Sequence, residues 1–149
     1  MDKTFGIIPA SPASLITILA IGIFLLLILG LFAFIGYSSR NVTFEVSEQG
    51  LRIKGGIYGR LIPKENIAGE NAKIINLNTS PQYKPRIRTN GVGLPGYSEG
   101  WFKLKNNEKA LLFVTDRSNV VYIPTKQDYS ILLSVSNSEE FYESIKQWE

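Results

Sequence analysis

Between Lys3 and Arg40 no residue carries a formal charge, and within that interval Leu15–Tyr37 reads LITILAIGIFLLLILGLFAFIGY. As a helix, these 23 residues would measure about 34 Å, enough to cross a bilayer core of about 30 Å. Backbone polar groups in hydrocarbon need internal partners, so a lone segment of this kind is expected to span once as a helix. Gly22, Gly30 and Gly36 lower helix propensity only slightly, and Pro9 and Pro12 are expected to fix an extended or turned lead-in. A cleavable signal peptide fits poorly. Its basic start is reduced to Lys3 beside Asp2, the apolar run is too long, and LFAFIGYSS offers no small-x-small site. With no GxxxG and no ionisable residue, the segment reads as an anchor and gives no sign of a helix-dimer seam or a transport path. The chain therefore divides into a short tail (1–14), a transmembrane helix (15–37), a linker (38–41) and a second domain (42–149).

The remaining 12 acidic and 15 basic residues lie from Arg40 onward. Near the span, Lys3 stands alone on one side while Arg40, Arg52, Lys54 and Arg60 follow on the other, which places the C-terminal domain in the cytoplasm and the protein in the cell membrane. There are no cysteines and no histidines. Disulfide frameworks, Cys-ligated zinc, thiol nucleophiles and the usual general base are all removed. No catalytic, cofactor-binding or metal-binding residue is expected, and the chain does not read as an enzyme.

After Arg40 the pattern becomes short alternating stretches separated by turn residues, a β signature. Val42, Phe44 and Val46 alternate. Leu51 and Ile53 share one face of the next strand, with Arg52 and Lys54 on the other. Gly55-Gly56 turns the chain into a strand over Ile57–Ile62, and a further strand is expected around Lys73–Asn78. Residues 79–100 hold Pro81, Pro85, Pro95 and four glycines and read as irregular, with room for one brief strand. Gly100–Lys105 and Lys109–Thr115 flank Asn106-Asn107-Glu108 as a hairpin, and Val120–Ile123 and Tyr129–Val135 follow.

The terminal SNSEEFYESIKQWE predicts a helix. Ser136 and Glu139 have capping-box spacing, Ser138 is a competing cap, and Phe141, Ile145 and Trp148 form one apolar stripe. The expected fold is mainly β: one strongly bent antiparallel sheet of about seven strands, its open end plugged by that stripe.

Two segments, GLRIKGGIYGRLIPKENI (50–67) and GVGLPGYSEGWFKLKNNEKALLFVT (91–115), resemble the bacterial pleckstrin-homology-like (bacterial PH) domains, many of which are attached to membrane spans. The resemblance runs over roughly Phe44–Trp148. It implies a PH-like barrel of two nearly orthogonal sheets capped by a C-terminal helix, a superfold used to bind lipids, peptides or proteins. It brings no catalytic residues and assigns no ligand, since fold alone does not choose among these.

Residues 40–137 hold 14 Lys or Arg against 8 Asp or Glu, whereas the segment from Ser138 onward holds four Glu against Lys146. A basic sheet facing an anionic leaflet gains about 1 kcal/mol per cation close to the surface. Arg40, Arg52, Lys54 and Arg60 are accordingly the expected lipid-headgroup contacts, set against the plain alternative of a solvated strand face. Lys84, Arg86 and Arg88 alternate in YKPRIRTN and are expected to project from one face of an extended segment. With Trp101, left outside the core if Phe102 and Leu104 point inward, they are the expected contacts to a protein partner. A net charge of +3 is too small for a nucleic-acid interface, and GVGLPGYSEG matches no phosphate-cradle motif. The function these features predict is a membrane-anchored binding or scaffold module at the membrane surface, acting through the lipid bilayer and a protein partner. The alternative is a structural subunit of a membrane complex. Oligomeric state is left open.

Overall fold

The computed structural model describes residues 2–9 and 11–148, the side chains of residues 38–40 excepted. The chain separates into two compact units, divided between Tyr37 and Ser38.

The first unit is dominated by helix α1, Pro12–Arg40. Its start is fixed locally. Ser11 Oγ accepts from Ala13 N–H at 3.3 Å, and Pro12 takes the first helical position, where its missing N–H costs nothing. Pro12 thus begins the helix instead of preceding it, and residues 38–40, expected as linker, continue it. An 18-residue window within Pro12–Tyr37 has a mean hydropathy of 3.1, and none of it is buried. Fourteen Leu, Ile and Phe side chains of α1 are exposed, which in water would forfeit roughly 20–40 kcal/mol of burial free energy at about 1.5–3 kcal/mol each. A helix apolar on every side and covered by nothing is long and greasy enough to cross a membrane.

The second unit contains β1 (Thr43–Ser47), β2 (Gly50–Lys54), β3 (Leu61–Pro63), β4 (Lys73–Ile75), β5 (Pro85–Leu94), β6 (Tyr97–Leu104), β7 (Lys109–Val114), β8 (Val120–Pro124), β9 (Tyr129–Leu133) and α2 (Ser138–Lys146). The strands form two sheets, β1-β2-β3 and β4-β8-β9-β7-β6-β5. The mainly β, helix-capped class is the one the sequence indicates, with three differences in detail. Among the described residues nine strands form two sheets, the number of sheets that the family resemblance implies, instead of the one bent sheet of about seven strands read from the pattern. The β7–β9 pairing is parallel, Lys109 opposite Tyr129 through Phe113 opposite Leu133, while the other pairings are antiparallel. The strand expected over Ile57–Ile62 shrinks to Leu61–Pro63, because its first half is drawn away by a hydrogen bond from Ile57 N–H to Glu99 Oε1 at 2.8 Å.

The largest departure is β5, a ten-residue strand in the stretch that reads as irregular. Pro85 occupies its first position, where no ladder donor is needed. Pro95-Gly96 makes the hairpin turn, with Gly96 at φ +75°. Gly91 and Gly100 face each other across the hairpin. A Cβ on Gly91 would lie 2.3 Å from Glu99 O, so these glycines allow two backbones to cross closely. Bulges at Pro85/Ile87 and Arg88/Asn90 bend the strand further.

Strands β7, β8 and β9 are buried almost without interruption because both faces of the larger sheet are covered. On one face Leu111, Phe113, Val121, Ile131 and Leu133 pack with Leu51, Ile53 and Ile62 of the smaller sheet, with Phe141 and Ile145 of α2 and with Trp148 just past its end. On the other, Leu112, Val114, Val120 and Leu132 pack with Phe102, Leu104 and Leu77. The stripe on α2 is buried as its spacing requires. Its capping is not as expected: Asn137 is the N-cap, without a side-chain cap bond to the backbone, and its amide donates to Glu140, so the Ser136/Glu139 box does not form. Where α2 docks, Gly69 passes so close that a Cβ would sit 2.4 Å from Ile145 O and 2.5 Å from Trp148 O.

Candidate functional site

The four expected headgroup contacts do not share one environment. Arg52 and Lys54 point outward from β2, as alternation requires. Lys54 Nζ, however, lies 2.8 Å from Glu45 Oε2 on β1, and that contact holds the Glu45 carboxyl below its ordinary range. Arg60 turns toward β6, its guanidinium carbon 5.0 Å from the Trp101 ring centroid, and donates to Tyr58 O at 3.4 Å. The Arg40 side chain lies outside the described residues. Arg52 and Arg60 make no ion pair among the described residues, and of the two Arg60 is engaged by the Trp101 ring.

Trp101 is half-buried and packs against the first core cluster. Its ring meets Tyr129 edge-on at 5.1 Å, and Lys109 Nζ sits 4.5 Å from its centroid. With Arg60 it forms a cation–π cluster in which much of the indole surface is already occupied. Beside it runs a cleft of about 600 Å³ lined by Thr89, Asn90, Lys103 and Lys109. Phe102, its neighbour, enters the second core, so β6 supplies one aromatic to each face of the sheet.

Of the three cations in YKPRIRTN, Arg86 and Arg88 line a second cleft on β5. The bulge at Pro85/Ile87 breaks plain alternation there. Lys84 is half-buried and set apart: its N–H donates to Pro81 O at 3.2 Å and its carbonyl accepts from Lys105 N–H at 3.0 Å. The structure adds Arg117 to Arg86 and Arg88, from the β7–β8 loop. A separation of 29 residues hides that neighbour from any reading of local pattern.

Two buried polar clusters brace these surfaces. Glu99 is 2% exposed and accepts from Ile57 N–H and from the Tyr97 hydroxyl. Burial, reinforced by that carboxylate, pushes the Tyr97 hydroxyl well above its ordinary range. Across the sheet the Tyr122 hydroxyl bonds Glu108 Oε1 at 3.1 Å and accepts from Ser130 Oγ at 3.1 Å. Burial pushes it up to about 12. Lys73 lies over the Tyr83 and Tyr122 rings at 4.7 and 5.2 Å. Among the described residues no three His, Cys, Asp or Glu side chains come together as a metal-binding group.

The described residues thus comprise an apolar helix followed by a two-sheet domain that a C-terminal helix caps and whose surface carries clefts lined by cations. The chain belongs to the bacterial PH domain family, whose model matches residues 42–148. No curated protein and no solved structure shows a significant match to it.

Proposed function

We propose that this protein is a membrane-anchored binding or scaffold module, its PH-like domain working at the cytoplasmic face of the cell membrane through a protein partner and nonspecific contact with anionic lipid. The observation that carries the reading is covalent: α1 ends at Arg40 and β1 begins at Thr43, so a family domain follows an apolar helix with two residues between them. Such a tether replaces tight intrinsic lipid affinity, because the domain never leaves the surface at which it acts. Arg52, with Arg40 and the partly engaged Lys54 and Arg60, supplies attraction to an anionic leaflet, and this attraction weakens with salt. Trp101 with Lys84, Arg86 and Arg88 offers the surface for a partner.

The test uses the full chain in its own membrane. Alkaline carbonate should leave it in the pellet, a C-terminal reporter should give a cytoplasmic signal, and in-membrane crosslinking at position 101 should yield a discrete adduct. Release by carbonate or an external reporter signal would overturn the anchored, cytoplasmic reading. Absence of any adduct at positions 84, 86, 88 and 101 would overturn the partner surface. An obligate complex surviving detergent, with every adduct in α1, would favour a structural subunit instead.

A further inference from the structure

We propose that the cleft between β5 and the β7–β8 loop is a binding site for a phosphate-bearing anion, held by Arg86, Arg88 and Arg117 with the Ser98 hydroxyl at its base. This rests on the reading of the domain as a binding module and is independent of membrane attachment.

The cleft measures about 530 Å³. No acidic side chain lines it, and none of the three guanidinium groups makes an ion pair among the described residues. Three uncompensated positive charges on one small concavity raise its potential and concentrate anions there. The nearest carboxylate in sequence, Asp116, is occupied: it accepts from Ser118 N–H at 2.8 Å and from Ser118 Oγ at 2.6 Å. The loop carrying Arg117 is pinned as well, by Leu77 N–H donating to Arg117 O at 2.7 Å and by Ser134 Oγ donating to Asp116 O at 2.9 Å. Arg117 therefore projects from a braced turn.

Ser98 supplies the independent observation. It is 5% exposed, it lines the cleft, and its hydroxyl has no hydrogen-bond partner among the described residues. No side-chain oxygen or nitrogen of the described residues is both fully buried and without a partner, so this hydroxyl is open to the surface where Ser98 lines the cleft and is free to donate to an anion held there. The chemistry favours phosphate over a single carboxylate. Three planar forks offer more paired donors than one carboxylate can accept, whereas a phosphate presents three oxygens and up to two charges. Leu94, 39% exposed, and the edge of Phe102 add an apolar wall beside the cations, fitting a ligand whose phosphate is joined to an apolar body.

The experiment titrates the full chain in neutral detergent by calorimetry with three probes: inorganic pyrophosphate, dihexanoyl phosphatidic acid below its micelle concentration, and dihexanoyl phosphatidylcholine as control. Saturable binding of either anionic probe is expected. Arg88→Ala and Arg117→Ala should each weaken it about tenfold or more, Arg88→Lys should recover only part, and Lys126→Ala, at an exposed lysine outside the cleft, should leave it unchanged. Pyrophosphate binding as tightly as the short-chain lipid would identify a free phosphate ligand, and a marked preference for phosphatidic acid would identify a lipid headgroup. Failure of both anionic probes, or equal weakening by Lys126→Ala, would overturn the site. All three arginines are exposed, so unchanged melting of the variants separates loss of binding from loss of fold. Carbonate extraction, which tests the anchor, is unaffected by either result.

Discussion

Replacing Gly69 with Ala should strain the seat of the capping helix without releasing it. The added Cβ falls 2.4 Å from Ile145 O and 2.5 Å from Trp148 O, about 1 Å inside the nearest comfortable carbon contact. Both obstacles are backbone, so no side chain can swing away. The relaxation open to the protein is a rigid shift of α2 or of the Gly69 turn, and overpacking of this kind costs about 1–3 kcal/mol. Undocking α2 instead would expose Phe141, Ile145 and Trp148, which are 7%, 0% and 7% exposed, at roughly 1.5–3 kcal/mol each or about 5–9 kcal/mol together. Strain is the smaller cost, so α2 stays docked and the whole domain loses stability. At about 4–8 °C per kcal/mol, Tm should fall by roughly 5–20 °C. The assay is thermal unfolding of the full chain in detergent, followed by near-ultraviolet circular dichroism and Trp fluorescence. Two companions frame it. Ile145→Ala, which empties a fully buried site, should cost about 2–5 kcal/mol. Gly93→Ala, whose Cβ would meet the Phe102 ring at an ordinary 3.5 Å, should not lower Tm. A Gly69→Ala protein melting within about 2 °C of the parent would refute the argument that this glycine exists for close approach.

Alkaline unfolding offers a second test. Because Tyr122 is raised to about 12 and Tyr97 is raised too, each favours the fold in its neutral form. Their contribution is complete below the ordinary tyrosine pKa of about 10 and is lost as pH rises toward the folded value. Tyr122→Phe should flatten the decline in stability between pH about 10 and 12, and an unchanged slope in denaturant titrations would count against the assignment. Gly100→Ala should be worse than Gly69→Ala, since φ there is +109° and the Cβ would meet Asn90 O at 2.6 Å and Gly91 Cα at 2.7 Å. Backbone strain of about 1–3 kcal/mol then adds to the clash. Limited proteolysis should show β5 cleaved first, and an intact β5 would contradict the close-crossing role.

Legibility followed the range of the forces involved. The apolar span, the outward Arg52 and Lys54, the inward Leu51 and Ile53, and the Phe141, Ile145 and Trp148 stripe obey local periodicity, and the sequence displays each. β5 did not, because Pro85, Gly91 and Gly93 are turn residues by local statistics and strand residues only once β6 lies alongside. The run ALLFV of β7 signals burial on both faces, yet its parallel partner β9 cannot be named from spacing. The candidate site was half legible for the same reason. Arg86 and Arg88 stand out as a pair, but Arg117 reaches them through the sheet order, and Ser98 becomes notable only when its unpartnered hydroxyl is found beside them in the cleft lining. Lys54 and Arg60 looked free because Glu45 and Trp101 lie across strand pairings that the sequence does not specify.

The position of β9 in the sheet sets the order in which the protein can be made. It lies between β8 and β7, yet among the described residues it follows every other strand of the domain. On the ribosome β7 and β8 must emerge and wait, each lacking a partner along one edge, until residues 129–133 arrive to join them, and α2 comes later still. The early hairpin of β5 and β6 can form meanwhile, but the central sheet closes only once β9 has emerged, after all the other strands of the domain. A stop codon or frameshift anywhere before Tyr129 therefore yields no smaller working version of the domain. It yields a hydrophobic α1 joined to an open-edged, aggregation-prone remnant.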